Sequence, residues 1–185
     1  MNRFQVTDLP LGGLKLVQRK TLSDLRGRFG RLFCLEDLET IWTGPIDQVN
    51  HTYTSARGTI RGMHYQNPPH AEKKIVMCLR GEVWDVAVDL RSGSSTFLQW
   101  HAEVLSGTNE RAMLIPEGFA HGFQTRTDDV EMLYFHSKKY SPTDEGGLFP
   151  QDPKLSIPWP LPIAGMSERD REWPLISNQY KGISL

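Results

Sequence analysis

The chain has 185 residues, 38% hydrophobic and 23% charged, enough for one medium-sized core, and reads as a single domain over residues 1–185. Its formal net charge is −1 and its basic residues are spread along the whole length, which argues against nucleic acid or a membrane surface as partner; an anionic ligand needs a local basic pocket. No run approaches the roughly 18 apolar residues of a membrane span, and the first segment, MNRFQVTDLPLGGLKLV, is broken by Asp8, Pro10, Gly12 and Gly13, so a soluble, cytoplasmic protein is expected.

Up to about residue 137 the sequence predicts short strands separated by turns. The stretch IRGMHYQNPPHAEKKIV, residues 60–76, reads as β-structure carrying Arg61, His64, His70, Lys73 and Lys74. GEVWDVAVDL is the clearest strand: Trp84, Val86, Val88 and Leu90 alternate with Val83, Asp85, Ala87 and Asp89, and RSGSS ends it. TFLQWHAEVLS, RAMLI and VEMLYFHS follow, with SGTNE, PEGF and RTDD as turns. Helical periodicity is scarce, and strands at this spacing predict an antiparallel sandwich or small barrel able to hold a ligand between its sheets. Cys34 and Cys78 lack a CxxC spacing and sit in apolar, strand-like runs, so both are expected to be reduced core residues. From Pro142 onward proline and glycine predict irregular chain wrapped over the barrel, anchored by Leu148, Phe149, Ile157 and Trp159. MSERDREW then predicts a short helix with Ser167 at the N-cap and Asp170 three residues on.

The histidines invite a metal reading, which the spacing argues against. A mononuclear centre in a small barrel starts with two histidines two apart on one strand, whereas His64 is followed by Tyr65 and Gln66, and Pro68 and Pro69 separate it from His70. No metal or other cofactor is therefore expected. A half-buried His64 satisfied by a backbone carbonyl is the plain alternative. Strict alternation from Ile60 places Gly62, His64 and Gln66 on one face and Arg61 on the other.

RGMHYQNPPHAEKKIV, RGEVWDVAVDLRSGSSTF, IPEGFAHGF and LSIPWP, in this order, resemble successive blocks of the dTDP-4-dehydrorhamnose 3,5-epimerase family, over about Asp24 to Asp170. The resemblance implies an all-β fold, a cupin-type jelly-roll barrel with short peripheral helices and an irregular C-terminal wrap. It also implies a homodimer that works without metal and inverts carbons beside the ketone of a nucleotide-linked 4-keto-6-deoxy sugar. Such chemistry needs a base on one face of the ring, a proton donor on the other, and a cation or donor at the developing enolate oxygen. By resemblance His64 is the base, Asp170 its carboxylate partner, Tyr134 the proton donor on the opposite face and Lys74 the pocket lysine. Arg26 and Arg61 match phosphate-contacting arginines, a role that suits the forked guanidinium. Gln48, Asn50, His121, Glu145 and Arg169 match other ligand contacts, and Phe29 and Tyr140 offer aromatic surface. Asp85, on the alternate face from Trp84, either orients His121 or faces solvent. Without the resemblance, Asp170 reads as part of a helix cap and Tyr134 as a core aromatic.

Several positions depart from the family pattern. Arg31 stands where a glutamate usually contacts the nucleotide, Leu25 and Arg28 alter an acidic-then-aromatic segment, and Glu72 and Lys73 replace the usual Gln-Gly before Lys74. Phe135 replaces a lysine, Lys139 replaces a tyrosine, and Lys73 is expected to face water. These changes leave His64, Asp170 and Tyr134 untouched. They keep open an enzyme inverting only carbon 3 or only carbon 5, or one using another nucleotide or sugar. A non-catalytic sugar-nucleotide-binding cupin, or a metal oxygenase on the same barrel, is the alternative of a different class.

Overall fold

The computed structural model describes residues 3–185; Met1 and Asn2, the first positions of the expected domain, lie outside the described residues. In chain order the strands are β1 (Phe4–Asp8), β2 (Lys15–Arg19), β3 (Thr21–Asp24), β4 (Gly27–Gly30), β5 (Gln48–Thr54), β6 (Ile60–Gln66) and β7 (Lys74–Arg80). They continue with β8 (Glu82–Asp89), β9 (Trp100–Ser106), β10 (Arg111–Ile115), β11 (Phe119–Thr125), β12 (Val130–His136) and β13 (Glu145–Gly147), and helix α1 spans Glu168–Glu172. A six-stranded sheet runs β1-β2-β10-β7-β12-β5, a five-stranded sheet runs β13-β6-β11-β8-β9, and β3 and β4 form a separate hairpin. From β5 onward, strands consecutive in sequence mostly fall in opposite sheets, which is the jelly-roll connection. Among the described residues no helix is long and apolar enough to cross a membrane.

Three apolar layers hold this arrangement. Between the sheets, Val76, Cys78, Val83, Ala87, Phe119, Phe123, Val130 and Met132 fill one end of the barrel. On the outer face of the five-stranded sheet, Met63, Val86, Val88 and Ala120 are covered by Leu148, Leu155, Ile157, Ile176 and Ile183 of the C-terminal wrap. The Trp100 indole of β9 ties the wrap to the sheet by donating to the Leu155 carbonyl at 3.0 Å, and within the wrap Trp159 donates to the Pro150 carbonyl at 2.8 Å. On the outer face of the six-stranded sheet, Leu38 and Trp42 from the segment between β4 and β5 cover Ile75, Met77, Leu114 and Phe135. Each fully buried large side chain contributes about 1.5–3 kcal/mol of transfer free energy.

The strand at GEVWDVAVDL lies where its alternation places it, as β8, and the strands at RAMLI and VEMLYFHS lie between their turn signals, as β10 and β12. TFLQWHAEVLS starts later than its pattern, at Trp100, because the Ser94 and Thr96 hydroxyls both donate to Asp89 at 2.6 Å and hold the preceding residues in a turn. β11 is buried along its whole length, so it carries no alternation to read. Cys34 lies in the turns between β4 and β5 rather than in a strand, while Cys78 sits on β7, and both thiols are free. Two departures from the family pattern are packing changes on the outer faces. Phe135 points away from the barrel interior and stacks on Phe33, ring centroids 5.3 Å apart. Lys73, expected in water, lies with its ammonium 5.9 Å from the centre of the Trp42 ring.

The strict alternation expected along β6 is broken. His64 pairs with His121 and Arg61 with Phe123, so β6 advances one more residue than β11 between the two pairings. This bulge turns Arg61 and His64 to the same side. It needs the close approach of two glycines: a Cβ on Gly62, where φ is +124°, would lie 2.5 Å from the Gly122 Cα and 2.7 Å from the His121 carbonyl oxygen. Gly62→Ala should therefore combine backbone strain with overpacking and cost about 2–4 kcal/mol. Chemical denaturation checks this, and an unchanged midpoint would show that the strand pair relaxes freely.

Candidate active site

At the polar end of the barrel, opposite in character to the apolar filling, a cavity of about 660 Å³ opens between the sheets. β5 contributes Asn50 and Thr52, β6 Arg61 and His64, β7 Lys74, β11 His121, and β12 Tyr134 and His136; Arg169 and Asp170 come from α1. A second lobe of about 390 Å³ shares Asn50, His64, Lys74 and His136 and extends to Gln48, Tyr140 and Glu145.

His64 Nε2 lies 2.7 Å from Asp170 Oδ1. A carboxylate accepts only, so Nε2 carries the hydrogen and Nδ1 keeps its lone pair. The imidazole remains 28% exposed toward the cavity while the Asp170 side chain is 3% exposed. The Gly62 N–H donates to Asp170 Oδ2 at 3.3 Å, and the Asp170 N–H donates to the Ser167 hydroxyl at 3.1 Å. The helix-cap reading and the pairing reading of Asp170 thus describe different atoms: the backbone is capped by Ser167 and the carboxylate serves His64. Burial would raise the Asp170 carboxyl, but the hydrogen bond and charge of His64, with the Gly62 and Ser167 contacts, outweigh it and leave it below its ordinary value.

Tyr134 faces this pair from the other sheet. It is 8% exposed, its hydroxyl lies 3.4 Å from Thr52 Oγ1, and burial pushes its pKa well up, so the phenol keeps its hydrogen. On β11, His121 Nε2 lies 2.8 Å from Asp85 Oδ1. Asp85 is fully buried rather than solvent-facing, and it is the orienting partner of His121; burial raises its carboxyl despite that imidazole. Lys74 Nζ contacts Glu72 Oε1 at 3.0 Å. Arg61 is fixed by donating from Nε to Thr54 Oγ1 at 2.9 Å and from Nη2 to the Tyr53 carbonyl at 3.3 Å.

At the rim, Glu145 accepts from the Tyr140 hydroxyl at 2.8 Å and from Arg169 Nη1 at 3.0 Å. Gln48 accepts from the Tyr140 N–H at 2.9 Å and donates to Asn50 Oδ1 at 3.0 Å. Arg26 and Phe29 stand apart from both lobes on the exposed β3–β4 hairpin, Arg26 paired with Asp24 at 2.5 Å. Arg28, another departure from the family pattern, fastens that hairpin to the barrel through Glu110 at 3.0 Å, and Glu110 also pairs with Arg19 at 2.6 Å. Arg31 pairs with Asp37 at 2.7 Å. Sequence reading assigns no site role to Thr52, to His136 or to Glu72, which stands there only as a departure from the family pattern. The signal was present for two of them: Thr52 follows Asn50, and His136 follows Tyr134, at the two-residue spacing that shares a strand face.

The model of the dTDP-4-dehydrorhamnose 3,5-epimerase family matches residues 8–178. The dTDP-4-dehydrorhamnose 3,5-epimerase of Pseudomonas aeruginosa is 41% identical over 171 residues, covering 91% of this chain and 94% of that protein. The crystal structure of the Bacillus anthracis dTDP-4-dehydrorhamnose 3,5-epimerase with TDP and PPi bound is similar at 37% identity and a TM-score of 0.90, over 94% of this chain and 99% of that one. A Legionella pneumophila dTDP-6-deoxy-D-glucose-3,5-epimerase in complex with dTDP-4-keto-L-rhamnose is similar at 36% identity and a TM-score of 0.88, over 93% and 92% of the two chains.

Because the folded-state pKa of Asp170 is depressed, its ionised form contributes stability that is present above the unfolded value of about 4 and lost as pH falls through the folded value. Asp170→Asn lacks this contribution. Thermal melts across pH should show the unaltered chain ahead of the variant above about pH 4, with the gap closing at lower pH; a gap that is constant with pH would rule out the carboxylate as its source.

Proposed function

The chain belongs to the dTDP-4-dehydrorhamnose 3,5-epimerase family and is an isomerase, and we propose that it converts dTDP-4-dehydro-6-deoxy-D-glucose to dTDP-4-dehydro-L-rhamnose by inverting carbons 3 and 5. The observation that carries the mechanism is the placement of His64, on one sheet and backed by Asp170 of α1, opposite Tyr134 on the other sheet, around one cavity. His64 Nδ1 takes the proton from the carbon beside the ketone, and the electron pair of the broken C–H bond moves to the carbonyl oxygen as an enolate. Lys74 meets that negative charge. The Tyr134 hydroxyl returns a proton to the opposite face and regains its own from solvent, while Asp170 stabilises the imidazolium and fixes the tautomer until His64 Nδ1 releases the abstracted proton to solvent.

The remaining contacts suit the nucleotide part. Arg61, held in place by Thr54, presents its fork to the diphosphate, and Gln48, Asn50, His121, Tyr140, Glu145 and Arg169 line the way from the ring to the rim. Our reading includes a homodimer in which Arg26 and Phe29 reach the partner's cavity. It is supported by the apolar exposure of Leu22, Leu25 and Phe29 on the hairpin and of Val49 and Tyr53 on the edge strand β5. The two free thiols suit a reducing compartment, the cytoplasm.

Two variants in deuterated water, with NMR reading carbons 3 and 5 separately, test the assignment. His64→Ala should lose exchange at both carbons by about 10²–10⁴-fold or more. Tyr134→Phe keeps the packed ring and removes only the hydroxyl: deuterium should still enter recovered, uninverted substrate through His64 while inverted product falls steeply. Full exchange in a folded His64→Ala protein would remove His64 from the reaction, and inversion at the unaltered rate in Tyr134→Phe would reduce Tyr134 to a packed aromatic.

A further inference from the structure

Glu72 lies just before β7, in the segment where it and Lys73 replace the usual Gln-Gly, and the mechanism above leaves it without a part. Its side chain is 8% exposed and bridges two groups of the cavity wall: Oε1 is 3.0 Å from Lys74 Nζ and Oε2 is 2.8 Å from His136 Nδ1. Both contacts run from a hydrogen on nitrogen to a carboxylate oxygen, so His136 carries its hydrogen on Nδ1 and turns Nε2 toward the Asn50 amide nitrogen, 3.5 Å away. The His136 ring lies nearly parallel to that of Tyr134, 20° between planes and 6.1 Å between centres.

Other carboxylates around the cavity are engaged elsewhere: Asp170 with His64, Asp85 with His121, Glu145 with Tyr140 and Arg169. Glu72 is the one that touches the lysine. Burial would raise its carboxyl, but the charge of Lys74 and the hydrogen bond and charge of His136 outweigh it and leave it below its ordinary value, so it is ionised. A lysine ammonium sits on a flexible four-carbon stem whose rotamer freedom must be lost before it can act at a fixed point. One carboxylate oxygen engages one of its three N–H groups and leaves two for the cavity.

We propose that Glu72, clamped by His136, is a positioning residue that holds the Lys74 ammonium where it meets the negative charge developing on the substrate's carbonyl oxygen. This rests on the proposed function. Glu72 acts through Lys74 and does not touch the sugar. An anion beside the ammonium weakens its field, so the benefit lies in placement, which reaction rates feel steeply. A neutral acceptor of the same shape should therefore serve nearly as well as the carboxylate.

The test measures deuterium incorporation from D₂O into dTDP-4-keto-6-deoxyglucose. Glu72→Ala should lower kcat about 10–100-fold while KM changes less than about threefold, and Glu72→Gln, whose amide oxygen still accepts from Lys74, should recover most of the loss. In a Lys74→Met background Glu72→Ala should add little, since what it positions is gone. His136→Phe keeps a ring beside Tyr134 and withdraws the clamp; it should lower kcat several-fold, and it carries the same comparison if Glu72→Ala fails to fold. Calorimetric binding of dTDP shows that each variant is folded. Glu72→Ala with kcat within twofold of the unaltered chain, a loss wholly in KM, or an undiminished loss in the Lys74→Met background overturns the inference alone. No exchange in the unaltered chain overturns the proposed function, and this inference with it.

Discussion

A carboxylate on one ring nitrogen fixes the tautomer and the orientation of an imidazole, and the contact of His64 with Asp170 at 2.7 Å is the constraint around which this barrel is organised. Asp170 is far from His64 in sequence and reaches it from a helix within the C-terminal wrap. The wrap must therefore be a fixed part of the fold: its apolar residues and the Trp100 indole of β9 seat it on the outer face of the five-stranded sheet, and the Trp159 indole braces it internally. The same carboxylate accepts the Gly62 N–H, so the bulge that turns Arg61 and His64 to one side is locked by the group that orients the histidine.

The barrel interior is divided between two solvents of opposite character. One end is filled by aliphatic and aromatic side chains; the other gathers histidines, carboxylates and cations that would be costly to bury singly. They are buried as partners. His64 with Asp170, His121 with Asp85 and His136 with Glu72 each set a carboxylate oxygen on one ring nitrogen. Each pairing fixes a tautomer and leaves the second nitrogen without a carboxylate. Tyr134 sits at the boundary, packed with the apolar end and lining the polar one, and burial there keeps its hydroxyl protonated.

Departures from the family pattern become intelligible once the faces of the strands are known. Phe135 belongs to the outer apolar layer, where a stacked Phe33 gives it a partner, and Lys73 rests on Trp42 in that same layer. Arg28 fastens the hairpin that carries Arg26 and Phe29 through a buried glutamate shared with Arg19. None of these three residues lines the cavity.

What the sequence determined by itself was whatever is periodic or local. The alternation in GEVWDVAVDL located β8, turn signals around RAMLI and VEMLYFHS bounded β10 and β12, and Ser167 marked the start of α1, because side-chain period, turn chemistry and capping act within a few residues. Long, specific motifs carried the family and pointed to His64, Tyr134, Lys74 and Asp170 as groups of one site. Two local rules pointed elsewhere. Strict alternation set Arg61 and His64 on opposite faces, and the capping pattern occupied Asp170 with its own helix. Tertiary structure decided these, and also β11 and the part of Glu72. Which atom a buried carboxylate serves, and where a strand must take an extra residue, depend on chain brought in from distant positions, and that proximity has no trace in the spacing of neighbours.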